Sequence, residues 1–341
     1  MTTSAPIPVT LICGFLGAGK TTLLNRLLAD PMGRRLAVMV NDFGAINIDA
    51  ELVSAADDSS IALTNGCICC SIRDDLALAM LQLRRDRPGI DHILIEASGI
   101  SDPLGIADAL FQPELSHHFR VDSLVAVADT AAYSEMEFHD AELVLQQARV
   151  ADLVLLNKCD IAEPAAQQRL ERDIVDMTPA ARLYPTVQAA IPAAILFEPR
   201  ELQTNIGILA EHASDHDHGD HEPAEGDTPS LPHGFSTRAW TFAAPLRLAA
   251  FTAFIRHLPQ GIYRAKGILN LAEQPERRGI FHLVGKRSSI DCDQPWQGEP
   301  GSRLVLIGRV NASEWAAIDY ALRACSANSV GDTVPQAGRS A

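Results

Sequence analysis

Basic residues are scarce in this chain: 28 Lys and Arg stand against 43 Asp and Glu, a formal net charge of −15. Binding to nucleic acid draws on a cationic footprint. No Lys/Arg-rich stripe interleaved with aromatics occurs, so nucleic acid is not an expected partner. Long apolar runs are missing too. The longest falls well short of the about 20 residues a membrane span requires, which argues against a membrane partner. The opening residues, Met1-Thr2-Thr3-Ser4, carry neither a basic n-region nor an apolar h-region, which points to a reducing, cytoplasmic setting. Cysteine is sparse and odd in number, seven in all, with Cys13, Cys159, Cys292 and Cys325 scattered. A disulfide framework is therefore not expected, and these four read as small buried residues. At 341 residues and 47% hydrophobic content the chain suits two globular domains.

Against that background, the run Gly14-Phe15-Leu16-Gly17-Ala18-Gly19-Lys20-Thr21-Thr22 carries the first clear chemistry. It fits G-x-x-x-x-G-K-[ST], in which consecutive backbone N–H groups wrap phosphates and Cβ atoms must be absent at close approaches. Gly14, Gly17 and Gly19 meet that need, with Ala18 and Thr22 completing the cradle. Lys20 would reach the β- and γ-phosphates, the Thr21 hydroxyl would ligate Mg²⁺, and the helix N-terminus that follows adds positive potential. An apolar strand over 9–13 precedes the loop, and Leu23, Leu24, Leu27 and Leu28 make one helical stripe after it. The alternative for a glycine-rich turn is a tight connection, which this strand–loop–helix context disfavours.

A second strand, 152–156, ends in Asn157-Lys158-Cys159-Asp160, an N-K-x-D element. The Asp160 carboxylate can accept from guanine N1–H and the exocyclic amine, a pair adenine does not offer, so GTP is expected over ATP. Lys158 would lay its stem along the base, and Asn157 would tie its loop to the phosphate loop. Between these motifs, the strand before Glu96-Ala97-Ser98-Gly99 ends in an acid. Glu96 is placed to hold Mg²⁺ or orient water, and the Gly99 backbone to sense the γ-phosphate. Asp42, in Asn41-Asp42-Phe43-Gly44 after the strand 36–40, is a second candidate for the magnesium shell. Either acid could cap a helix instead. No water-positioning glutamine or arginine finger stands out, so slow intrinsic hydrolysis is expected.

The remaining cysteines are clustered in Gly66-Cys67-Ile68-Cys69-Cys70. Adjacent turn-borne thiols crowd three potential anions, and a cation such as Zn²⁺, Co²⁺ or Cu⁺ relieves their repulsion. Three thiolates leave a coordination position open for exchange. A redox turn or chance crowding are the alternatives on spacing alone.

These residues resemble the CobW-type metallochaperone GTPases, relatives of the nickel-insertion GTPases of urease and hydrogenase maturation. The resemblance rests on Gly14 to Thr22, on Asn65-Gly66-Cys67-Ile68-Cys69-Cys70, on Glu96 to Gly99 followed by Asp102-Pro103, and on Asn157 to Asp160. It implies GTP and Mg²⁺ at Lys20 and Thr21, guanine at Asp160, and a transition metal, zinc or cobalt, at Cys67, Cys69 and Cys70. It implies further that hydrolysis releases the metal to a client protein. Asp42 stands where Glu is commoner, Ala97 where Ser or Thr is usual, and Cys159 where Thr is. A client-specific activator in cobalamin synthesis or nitrile hydratase maturation, a passive metal buffer and a redox-sensing GTPase are the competing functions; a homodimer is left open.

Strands at 9–13, 36–40, 61–63, 93–96, 121–128, 152–156 and 182–187 alternate with helical patterns such as Leu76, Met80 and Leu83. This predicts an α/β, doubly wound, mainly parallel sheet with its ligands at the strand C-termini. The expected domains are a P-loop GTPase domain over 1–210, a His/Asp-rich linker over 211–234, a smaller α+β domain over 235–326 resembling the CobW C-terminal module, and a disordered tail over 327–341. Four histidines, His212, His216, His218 and His221, lie within ten linker residues and could buffer a borderline metal, the alternative being a solvated spacer. His117 and His118 read as a capping or surface pair. In the last domain the reading is a strand at 238–242, a helix at 246–258, strands near 268–272, 280–284 and 304–307, and a helix capped by Asn311 with Glu314 three residues on. Arg264 and Lys266, in Tyr263-Arg264-Ala265-Lys266-Gly267, match an R-x-K-G element of that module without an assigned chemistry.

Overall fold

Runs of branched and aliphatic residues, most of them free of charge in their interior, build the larger part of the molecule. The computed structural model describes residues 6–40, 60–64, 72–97, 99, 103–197, 235–296 and 298–327, with 40, 60–64, 72–75 and 293 by backbone course alone. The chain divides into two units, one holding 1–218 and 284–286 and the other the remaining residues. The 212–233 segment and the residues after 327 lie outside the described ones.

In the first unit, β1 (Ile7–Cys13), β2 (Leu36–Val40), β3 (Ser60–Thr64), β4 (His92–Glu96), β5 (Phe119–Asp129), β6 (Leu153–Asn157) and β7 (Leu183–Pro185) form one sheet in the order β3-β2-β4-β1-β5-β6-β7. Every adjacent pair is parallel. Parallel strands need crossovers, which here contain α1 (Lys20–Ala29), α2 (Ile72–Asp86), α3 (Pro103–Leu110), the short α4 (Pro113–Ser116), α5 (Phe138–Val150) and α6 (Pro164–Met177); the short α7 (Ala193–Leu196) follows the last strand. The architecture is the expected doubly wound one.

Side-chain alternation along β1 divides it between two cores. Leu11 and Cys13 join Met80, Leu83, Val144, Ala148, Leu170 and Ile174 in one apolar cluster. Thr10 faces the other way, bonded to His92 Nε2 at 2.8 Å and Ser123 Oγ at 3.0 Å. The α1 leucines Leu23, Leu24, Leu27 and Leu28 are buried as a stripe, each burial contributing roughly 1.5–3 kcal/mol. β7 is shorter than 182–187 because it is an edge strand ending at Pro185, which has no N–H to extend a ladder.

The second unit is a five-stranded sheet, β11-β10-β9-β12-β8, made of β8 (Ser236–Phe242), β9 (Ile262–Asn270), β10 (Arg277–Val284), β11 (Arg287–Pro295) and β12 (Ser302–Gly308). β12 runs antiparallel to both β8 and β9. Helices α8 (Leu248–Arg256) and α9 (Ala312–Arg323) bury Phe251, Phe254, Ile255, Trp315, Ile318 and Leu322 in one core with Phe281 and Leu306 of the sheet. Phe251 meets Phe281 edge to face at 5.1 Å, the favoured arrangement of aromatic quadrupoles. Asn311 and Glu314 form a reciprocal capping box at the start of α9.

Three local readings are corrected here. β9 starts at Ile262, not near 268, and carries Arg264 and Lys266 in its interior, opposite Ile307 and Val305. Arg264 is buried, which its long aliphatic stem permits. β11 was not anticipated, because Arg287-Ser288-Ser289-Ile290-Asp291 lacks the alternation of a half-buried strand; as an edge strand it has less to bury. Of the four scattered cysteines, Cys13 and Cys325 are buried, whereas Cys159 and Cys292 are only half-buried.

Candidate functional site

The C-terminal ends of β1, β4, β5 and β6 converge, with β1 in the middle of the sheet and the chain leaving it on both sides. Open α/β sheets bind ligands at such switch points. Directly after β1 the chain turns through Gly14, Gly17 and Gly19, all with positive φ, 148°, 75° and 109°. A Cβ on Gly14 would lie 2.3 Å from Val127 O, and one on Gly19 2.4 Å from Asn157 Nδ2. Gly14 and Gly19 are thus required twice, for backbone angle and for close approach, and Gly17 for backbone angle alone. α1 begins immediately after Gly19, at Lys20, so the unpaired N–H groups of its first turn cap the cradle.

Three predicted polar groups meet beneath this loop. Thr21 donates its hydroxyl to Glu96 at 3.4 and 3.5 Å from the two carboxylate oxygens. Lys20 Nζ lies 3.4 Å from Phe15 O and 4.0 Å from Glu96 Oε1. Glu96 and Lys20 are both buried. A hydroxyl and a carboxylate side by side, next to a glycine cradle, suit a hard dication with oxygen ligands such as Mg²⁺. Ala18 is buried within the loop, and Thr22 is exposed. Gly99 packs on the cradle: a Cβ there would meet Leu16 N at 2.9 Å.

On the opposite side of β1, Asn157 joins three segments. Its Nδ2 donates to Ala18 O at 2.8 Å, and its Oδ1 accepts from Ala189 N–H at 2.7 Å. Lys158 adopts the left-handed region, φ 63°, and its ammonium is bonded to Asp129 Oδ2 at 2.5 Å. The Asp129 Oδ1 atom also accepts from Ala131 and Ala132 N–H at 3.1 and 3.0 Å. Asp160 is exposed at the turn that follows. The sequence reading missed Asp129, although it ends β5 as Asn157 ends β6 and the two are register partners. It also missed Gln188 and Ala189, consecutive non-glycine residues with φ of 50° and 52°. Their loop is held by Arg26 of α1, which donates to Gln188 O at 2.7 Å. Paired left-handed residues are costly, and they persist where surroundings over-determine them.

Asp42, Cys67, Cys69 and Cys70, together with Asp102, lie outside the described residues. Their approach is described. Val40, which leads to Asp42, is the register partner of both Glu96 and Thr64, and Thr64 leads to the cysteine segment. β3 lies two strands from β4, so Thr64 and Glu96 end the same row about 10 Å apart at the usual strand spacing. Among the described residues no group of three or more His, Cys, Asp or Glu could hold a metal ion, and no helix is long and apolar enough to cross a membrane.

Residues 8–185 match the family described as CobW/HypB/UreG, nucleotide-binding domain, and residues 235–326 match the cobalamin synthesis protein cobW C-terminal domain. The chain is similar to a protein of Sinorhizobium sp named Zinc chaperone CobW, with 31% identity over 356 residues covering 93% of this chain and 97% of that one. It is similar also to Zinc chaperone YjiA of Escherichia coli K12, with 30% identity over 313 residues covering 89% of this chain and 94% of that one. A crystal structure of Zn(II)-bound YjiA GTPase from E. coli aligns with 24% identity and a TM-score of 0.46, over 94% of this chain and 100% of that one.

Proposed function

The chain belongs to the CobW/HypB/UreG family of P-loop GTPases, and from that premise we propose that it is a metallochaperone that hydrolyses GTP to deliver zinc to a client protein. Zinc is preferred over cobalt because the relatives from Sinorhizobium and E. coli are both named zinc chaperones. In this reading the glycine cradle from Gly14 to Thr22 takes the phosphates. Lys20 neutralises charge on the β- and γ-phosphates. Thr21 and Glu96 hold Mg²⁺, which would supply further positive charge at the γ-phosphate. Asn157, Lys158 and Asp160 bind guanine, with Asp160 reading the N1–H and exocyclic amine. Cys67, Cys69 and Cys70 carry the zinc as cargo, and Asp42 is a second candidate for the magnesium shell.

The observation that carries the reading is the shared row of strand ends: Glu96, Val40 and Thr64 are consecutive register partners. The strand end at Glu96 is thereby one strand from Val40, after which the chain runs on to Asp42, and two from Thr64, after which it runs on to the thiols. Loss of the γ-phosphate would relax the row and lower the affinity for the metal. Zinc affinity measured by competition with a chelating dye, in a non-hydrolysable GTP analogue and in GDP, tests this. The expected result is at least about tenfold tighter zinc with the analogue, a difference that Cys69→Ser abolishes. Equal affinities in the two nucleotides would refute the coupling.

A further inference from the structure

Gln147 sits in α5, outside every motif, and is nonetheless only 4% exposed. Its Nε2 donates to Gly99 O at 3.1 Å. Its Oε1 is buried with no hydrogen-bond partner among the described residues. Gly99 lies between this amide and the phosphate loop, where a Cβ would come within 2.8 Å of Leu16 Cδ2 and 2.9 Å of Leu16 N.

We propose that Gln147 is a positioning residue of the GTPase cycle, whose amide clamps the Gly99 peptide onto the phosphate loop. The proposal rests on the glycine loop being the GTP site. A buried amide that makes one bond and whose carbonyl finds no partner among the described residues is a poor choice for stability, since an apolar side chain of the same shape has no polar atom to strand. Methionine has nearly the same length and volume and would fill the position. The amide is therefore explained by what it holds. Gly99 follows Glu96 by three residues, so the clamp fixes the far end of the segment whose near end faces Thr21 and Lys20. Turning the Gly99 peptide would break the one hydrogen bond that this side chain makes among the described residues. Without the clamp the segment samples other orientations, which slows the chemical step while phosphate-loop and base contacts still bind the nucleotide.

The test is Gln147→Met and Gln147→Glu in the full chain, with steady-state GTP hydrolysis, GTP and GDP affinities and the thermal midpoint measured together. Gln147→Met is expected to lower kcat by about tenfold or more with KM within about twofold, at an unchanged or raised thermal midpoint. Gln147→Glu, which sets a carboxylate against the Gly99 carbonyl, should lower kcat at least as far. A Gln147→Met protein whose kcat stays within about twofold of the parent would overturn the proposal. So would one whose kcat falls only alongside a collapse of the thermal midpoint. Lys20→Ala separates this from the underlying reading. If that protein hydrolyses GTP like the parent, the nucleotide-site assignment fails and takes the clamp with it. An inactive Lys20→Ala protein beside a fully active Gln147→Met protein overturns the clamp alone.

Discussion

A single carboxylate, Asp129, shows how the base side of the pocket is held. It receives two backbone N–H groups on one oxygen and the Lys158 ammonium on the other, so Lys158 is kept in a left-handed conformation that a free lysine would seldom adopt. Asp129→Asn keeps an oxygen for Ala131 and Ala132 but loses the charge opposite Lys158. The pair is partly exposed, so the loss is discounted to about 1 kcal/mol, about fivefold in affinity. Because guanine is common to both nucleotides, isothermal titration should find GTP and GDP weakened alike. Weakening confined to GTP would place Asp129 on the phosphate side instead. Lys20, Thr21, Glu96 and Asn157 were legible because motif spacing binds each to a strand end. Asp129 was not: strand ends often carry an acid, and what singles this one out is the register that sets it opposite Asn157. Gln147 left no trace either, since a glutamine on a helix is ordinarily a solvated residue.

At the scale of the element, the alternation of Trp240 and Asp319 across β8 and α9 illustrates a tie that packing alone does not supply. Trp240 donates its indole N–H to Asp319 Oδ1 at 2.9 Å, and Arg323 one turn further on donates to Oδ2 at 2.9 Å. The hydrogen bond from Arg323, aided by that from Trp240, holds the Asp319 carboxyl below its ordinary range against the opposing effect of burial. A carboxyl depressed in the folded state stabilises it above the unfolded pKa and loses that contribution as pH falls through the folded value. Asp319→Asn should therefore have a lower urea midpoint than the parent at pH 7, with the gap closing as pH drops below about 4. A gap that stays constant across that range would show that packing, not charge, is responsible. The central parallel strands could be read from composition because both their faces are buried and most of their positions are apolar. β11 and the polar half of β9 could not, because edge exposure and a buried aliphatic stem each uncouple residue type from strand position.

For the molecule as a whole, the strand ends that lead toward the proposed nucleotide and metal residues lie in one row of one sheet, and thermodynamics then constrains the two sites more tightly than geometry does. If GTP tightens zinc by some factor, zinc must tighten GTP by the same factor, because both paths close one cycle. A chain with net charge −15 attracts divalent ions non-specifically, and that attraction is screened by salt, whereas a coupling through Glu96, Val40 and Thr64 is not. GTP-analogue affinity measured with and without zinc, at low and at physiological ionic strength, separates the two. The expected outcome is a ratio of affinities that matches the ratio obtained from zinc titrations and holds at both salt concentrations. Zinc that leaves analogue affinity unchanged while still binding more tightly in its presence would violate the cycle. That pattern would mean the two titrations report different zinc sites, with the second supplied by the imidazoles of His212, His216, His218 and His221. Replacing those four histidines by alanine would then restore the equality, and its failure to do so would leave the cysteines uncoupled from the nucleotide.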